Sequence, residues 1–112
     1  MTIQEAIEKK FEKQREKDIA IKLLPIIEAE SLTIDFSQLD SKQYRKHVRT
    51  DISRRVKNKI KESDELREGY CFGGMILSWV VGRIIWWIAG YLIELAFNKL
   101  FLNKSLHPSE FE

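Results

Sequence analysis

Few side chains in this 112-residue chain are of the types that catalyse reactions or bind metal ions. His47 and His107 are isolated, with no cysteine or carboxylate at a spacing typical of metal ligands. Gly73 and Gly74 precede an apolar segment but lack the Lys-Ser/Thr of a phosphate-binding loop, so we expect them to permit close packing. The single cysteine, Cys71, excludes an intrachain disulfide and is expected to be a buried thiol. We therefore predict no enzyme activity, no catalytic residue, no cofactor and no metal site.

Two charges stand out because they lie within the apolar part of the chain. Arg83 and Glu94 are eleven residues apart, or about 16 Å along a helix, so they cannot pair with each other within one helix. A charge inside a membrane segment needs a partner, and we expect intersubunit ion pairing for both residues. The alternatives are an ion or proton path, or a holin-like pore former in which the two charges line an oligomeric lesion.

The segment that holds these charges is long enough to cross a membrane. Phe72 to Ile93 spans about 22 predominantly apolar residues, and about 20 are needed to cross a bilayer. Tryptophan usually marks the membrane interfaces, whereas Trp79, Trp86 and Trp87 fall inside this span. We predict a transmembrane helix, with a helix buried in protein or lying flat in the interface as the alternatives.

One face of this helix is expected to pack against another helix. At 100° per residue, seven positions share a face with alternating spacings of three and four, and three of them are small. Small residues let helices approach closely in a membrane. The predicted helix-packing seam comprises Met75, Ser78, Gly82, Ile85, Ala89, Leu92 and Ala96.

A basic amphipathic helix is predicted before the apolar one, over residues 38–67. Ser37 with Asp40 resembles a capping box at its start. Its apolar stripe recurs every four residues, at Tyr44, Val48, Ile52, Val56 and Ile60. Eight cations around the stripe are predicted to contact anionic lipid or phosphate: Arg45, Lys46, Arg49, Arg54, Arg55, Lys57, Lys59 and Lys61. Nucleic acid is the second choice, because aromatic residues that could stack on bases are nearly absent from this helix.

The N-terminal third is predicted to contain one charged helix and an extended linker. The helix should cover residues 2–24, with Thr2 and Glu5 as a capping box and Pro25 near its end. Residues 31–36 alternate between polar and apolar, which predicts an extended segment lying against a neighbouring surface.

Together these patterns predict an all-α, elongated protein with two charged amphipathic helices followed by one long apolar helix. The expected divisions are 1–36, 37–69, 70–102 and a tail over 103–112. The overall charge, 19 Lys and Arg against 17 Asp and Glu, is nearly balanced, so the distribution of charge matters more than its sum.

The functional prediction is a non-catalytic single-pass membrane protein, an accessory or assembly subunit of a larger membrane complex. Basic residues before the span place the N-terminal region on the cytoplasmic side, or on the matrix or stromal side of an organelle. The expected partners are other subunits or a second copy, and anionic lipid headgroups. The alternative is a soluble or virion structural protein, with the apolar helix buried in an oligomer and the basic helix facing nucleic acid.

Overall fold

Four α-helices and two short helical turns make up the described structure. It is a computed structural model that describes residues 2–62 and 75–102, with side chains in the last helix from Trp79 onward. The helices are α1 (Ile3–Lys10), α2 (Gln14–Ser31), α3 (Lys42–Glu62) and α4 (Met75–Phe97). A 3₁₀ turn (Phe36–Gln38) precedes α3, and a π-helical turn (Asn98–Leu102) follows α4. The prediction of an all-α chain that places its long apolar helix last is confirmed.

The N-terminal region forms two helices where the sequence predicted one. The cap at its start is confirmed, because the Thr2 hydroxyl accepts a hydrogen bond of 3.2 Å from the Glu5 amide. The chain leaves the helix at Phe11, which adopts an extended conformation, and helix resumes at Gln14. The Phe11 side chain is buried and packs edge-on against Trp87, with 5.6 Å between ring centroids. The break therefore lets an aromatic side chain reach the core.

Pro25 lies inside α2, which continues to Ser31. The prediction that the helix ends near Leu24 is therefore wrong. Proline lacks the amide that would bond to the carbonyl of Ile21. Pro25 and Ile21 are both solvent-exposed, and water can satisfy that carbonyl. The opposite face of α2 buries Leu23 and Ile27 completely, and this packing holds the helix together through the proline.

The connection between α2 and α3 is a set of turns and not an extended strand-like linker. Of the three apolar residues predicted to lie against a neighbour, Ile34 is buried, whereas Leu32 and Phe36 are exposed. The Asp35 carboxylate accepts hydrogen bonds from the amide and hydroxyl of Ser37, and these bonds, together with one from the Gln38 side chain, lower the pKa of Asp35.

Helix α3 begins with a different cap from the predicted one. The Ser41 hydroxyl accepts a hydrogen bond from the Tyr44 amide at 3.2 Å, in place of the expected Ser37–Asp40 box. Ser37 is instead bonded to Asp35 in the preceding turn, so its hydroxyl already has a closer partner.

The core forms where α2 and α3 pack on α4. The predicted stripe of α3 is confirmed, since Val48, Ile52 and Val56 are buried and the residues at its two ends are partly buried. In α4, Ile84 and Ile88 are completely buried. The apolar helix is thus partly covered by helices of its own chain, and the bundle measures 42 × 27 × 19 Å.

Two leucines test this packing. Leu23→Ala removes a completely buried side chain of α2 and is expected to lower the free energy of unfolding by about 2–5 kcal/mol. Leu32→Ala, at a side chain that is 81% exposed, should change it by less than about 0.5 kcal/mol. Urea denaturation followed by circular dichroism measures both, and equal effects would contradict the packing of α2 in the core.

Candidate functional site

Both charges of the apolar helix have partners within the chain. The Arg83 guanidinium donates to the Glu16 carboxylate of α2 at 2.9 Å. Glu94 lies 3.3 Å from the guanidinium Nε of Arg45 on α3. We expected these partners on another subunit; in the structure the neighbouring helices supply them, because α2 and α3 both pack along α4.

The contact between α3 and α4 depends on glycines that receive long cationic side chains. Arg49 lies across Gly90, where an added Cβ would overlap its guanidinium. From there Arg49 Nε donates to the Trp86 carbonyl at 2.9 Å, and its guanidinium carbon lies 4.1 Å from the centre of the Trp86 ring. Burial lowers the pKa of Arg49, while the charge of Glu94 opposes that shift. Arginine remains a cation at neutral pH in such a setting.

The predicted packing seam lies largely inside the chain's own core. Ile85 and Ala89 are completely buried, and Leu92 and Ala96 are partly buried against the core. Gly82 faces Lys57 of α3, whose Cε would be 3.3 Å from an added Cβ. The side chains of Met75 and Ser78 lie outside the described residues.

The eight cations predicted to contact phosphate divide into two groups. Five have partners within the chain: Arg45 and Arg49 turn toward α4, Arg54 and Arg55 pair with Asp51 of the same helix, and Lys59 pairs with Glu30 of α2. Across residues 2–62 and 79–102, the other three make no ion pair: Lys46, Lys57 and Lys61. Lys42, which the sequence analysis did not select, joins this second group.

Two open depressions lie on either side of Trp86, and together they form what we call the Trp86 groove. The first has a volume of about 270 Å³ and its wall includes Lys42 and Lys46. The second has a volume of about 280 Å³ and its wall includes Lys57 and Lys61. Trp86 belongs to both walls, so one indole ring separates two lysine-lined hollows.

Sequence reasoning missed Lys42 and Trp86 as parts of this site. The spacing of Lys42, Lys46 and Arg49, four and then three residues, is a signal that could have placed Lys42 on the same face. No sequence signal could have added Trp86, because its place in the groove depends on how α4 lies against α3.

The groove offers positive charge and an aromatic edge, which suits an anion. Among the described residues no three His, Cys, Asp or Glu side chains cluster as metal ligands would, and His47 is exposed on α3. Cys71, Gly73, Gly74 and His107 lie outside the described residues.

Comparison with known proteins gives no match to a family model, to a curated protein or to a solved structure.

A double-mutant cycle at Gly90 and Arg49 tests the contact between α3 and α4. In the wild-type background, Gly90→Ala displaces Arg49 from Trp86 and is expected to destabilise the fold by about 1–2 kcal/mol, since losing a charged hydrogen bond outweighs the better helix propensity of alanine. In an Arg49→Ala background the clash is gone, so the same substitution should stabilise by up to about 1 kcal/mol. Urea unfolding measures this reversal of sign.

Gly82→Ala is the matched control for that cycle. Its added Cβ meets only the flexible end of Lys57, which can move by a few tenths of an ångström. Its effect should therefore be the same with and without Arg49. If Gly90→Ala also changes the stability by the same amount with and without Arg49, the contact of Arg49 with Gly90 and Trp86 is contradicted.

Proposed function

We propose that this protein is a non-catalytic structural protein that attaches to a membrane through α4, as an accessory or assembly subunit of a larger membrane complex. The observation that carries the proposal is incomplete coverage of its apolar helix. Trp79–Leu102 is long and apolar enough to cross a membrane by length and composition, and half of its most apolar window is buried in the chain. A core helix of a soluble protein passes the same test of length and composition, so the uncovered half is the informative part.

The uncovered part of α4 and of the turn after it includes several large apolar side chains beside the charged Arg83 and Lys99. Trp79 is 70% exposed, and Leu100, Phe101 and Leu102 are all exposed. The three consecutive exposed apolar residues after α4 are typical of a surface that contacts a membrane or another protein, and Trp79 adds an exposed apolar side chain near the other end of the span. The hydrocarbon of a membrane can accommodate both these exposed side chains and the apolar residues of α4 that are now buried in the bundle.

A spanning form requires α2 and α3 to separate from α4. Glu16 and Arg45 lie on those helices, so their ion pairs with Arg83 and Glu94 open when lipid surrounds α4. In that form the helix-packing seam is free for another subunit, and Arg83 needs a new acceptor there. The excess of Lys and Arg before the span favours an N-terminal region on the cytoplasmic side, or its organellar equivalent.

A second candidate function is a structural protein whose basic helix faces nucleic acid. The observation that favours it is the Trp86 groove, since lysines beside an aromatic ring suit a phosphate backbone, and these lysines have no ion pair within residues 2–62 and 79–102. In this reading α4 remains in the bundle and its exposed residues contact a second protein chain.

Membrane fractionation tests the first proposal. The expressed chain is expected to stay with membranes through a high-salt wash and a carbonate wash, because apolar attachment survives both. Trp79→Arg places a second cation four residues from Arg83, where Glu16 is already engaged. Within the predicted span Phe72–Ile93, Trp79 lies between the end and the centre, so an added arginine there disfavours insertion by less than the about 2.5–3.5 kcal/mol of a helix centre. We expect the retained fraction to fall below that of the wild type.

Leu32→Arg is the matched control, because it adds the same charge at an exposed residue outside the apolar helix. It should be retained like the wild type. Release of the wild type by carbonate as a defined soluble oligomer would overturn the membrane proposal. Release by salt together with nucleic acid would favour the second candidate.

A further inference from the structure

Four lysines of α3 form a row beside α4. Lys42, Lys46 and Lys57 fall within an arc of about 60° on the helix, and Lys61 lies at the edge of the same side. From Lys42 to Lys61 the row is about 28 Å long at 1.5 Å per residue. In the described part of the chain none of the four has an ion pair, whereas five other cations of α3 have partners within the chain: Arg45, Arg49, Arg54, Arg55 and Lys59. Of these, Arg45 and Arg49 belong to the wall of the first depression and Arg54 to that of the second.

The row is divided into two sites by Trp86. Each depression contains two of the four lysines, and the ring between them is 39% exposed. The carboxylate of Glu94 belongs to the wall of the first depression, but Arg45 already pairs with it. No carboxylate belongs to the wall described for the second. Both depressions therefore attract anions.

We propose that the two depressions bind the phosphate groups of anionic lipids, with Trp86 at headgroup level between them, so that the α3–α4 side of the bundle lies on a membrane surface. This inference rests on the proposed membrane attachment and concerns the closed bundle, in which α3 still covers α4. It adds to the attachment a face and a lipid class. Each lysine near an anionic leaflet strengthens binding about fivefold, since it contributes about 1 kcal/mol.

Three features favour a lipid leaflet over nucleic acid as the occupant. Tryptophan has an apolar body and a polar N–H, which suits the boundary between headgroups and hydrocarbon. One face of the Trp86 ring is taken by the Arg49 guanidinium, which leaves less of the ring for stacking on a base. The same helix also carries the exposed Trp79, which a leaflet can accommodate beside the lysine row.

Vesicle flotation with charge-matched variants tests the inference. The double variant Lys46→Gln/Lys57→Gln removes one lysine from each depression. Lys9→Gln/Lys22→Gln makes the same change in net charge at exposed lysines of α1 and α2. The full-length chain is mixed with vesicles of phosphatidylcholine alone, or of phosphatidylcholine and phosphatidylglycerol in a two-to-one ratio.

On the anionic vesicles, Lys46→Gln/Lys57→Gln is expected to bind about thirtyfold more weakly than the wild type, and the control variant within about threefold of it. Equal losses in the two variants, or no loss in either, would overturn the assignment to the groove. Circular dichroism is used to check that both variants keep the helical fold, which substitutions at exposed residues should not disturb.

Three further measurements distinguish a failure of this inference from a failure of the proposed function, and they identify which phosphate compound the groove binds. Equal flotation with neutral and anionic vesicles refutes the headgroup site while leaving apolar attachment intact; no flotation with either refutes both. Inorganic phosphate at millimolar concentration should not displace the protein from anionic vesicles, because a leaflet presents many headgroups at once. A single-stranded oligonucleotide that binds the groove lysines more tightly than the anionic vesicles would assign the groove to nucleic acid and overturn the lipid proposal.

Discussion

The fold depends on one constraint: α4 is apolar around most of its circumference and cannot present more than one side to water. An amphipathic helix buries a single stripe, whereas every residue of α4 from Ile84 to Tyr91 except Trp86 is buried. One helix cannot cover so wide a surface, and both α2 and α3 pack along it. The charged N-terminal half of the chain thereby acquires a defined structure from the apolar helix that follows it.

The polar contacts fix how the covering helices lie on that surface. An apolar helix offers little to distinguish one register of a neighbour from another. Arg83 with Glu16 positions α2, while Arg45 with Glu94 and Arg49 across Gly90 position α3. The ion pairs are partly exposed and each contributes on the order of 1 kcal/mol or less to stability, so their main effect is on geometry.

The sequence predicts those features that a local pattern determines. The Thr2 cap, the apolar stripe of α3 and the apolar helix itself follow from short-range spacing, and the structure confirms them. The break at Phe11 and the passage of α2 through Pro25 do not, because each depends on contacts with helices distant in sequence.

The same limit applies to the groove. Sequence reasoning identified most of its lysines but treated every cation of α3 alike. Only tertiary packing shows that Arg55 and Lys59 turn toward Glu30 of α2, while Lys57, on the side of Trp86, has no ion pair among the described residues. The site exists only where α3 and α4 meet.

The same surface of α4 can contact either α2 and α3 or lipid, but not both at one time. Replacing α2 and α3 by lipid around α4 changes the hydrophobic free energy of α4 little, because hydrocarbon accommodates its buried isoleucines as well as the bundle does. What opposes it is the uncovering of the apolar stripes on α2 and α3, such as Leu23 and Val56, which then face water or must lie on the membrane surface. An amphipathic helix with lysines beside its apolar stripe can lie on the surface of an anionic leaflet, with the stripe toward the hydrocarbon and the lysines among the headgroups. The lysine row of α3 therefore favours the same surface in the closed bundle and after α4 has left it, and one set of charges serves both forms.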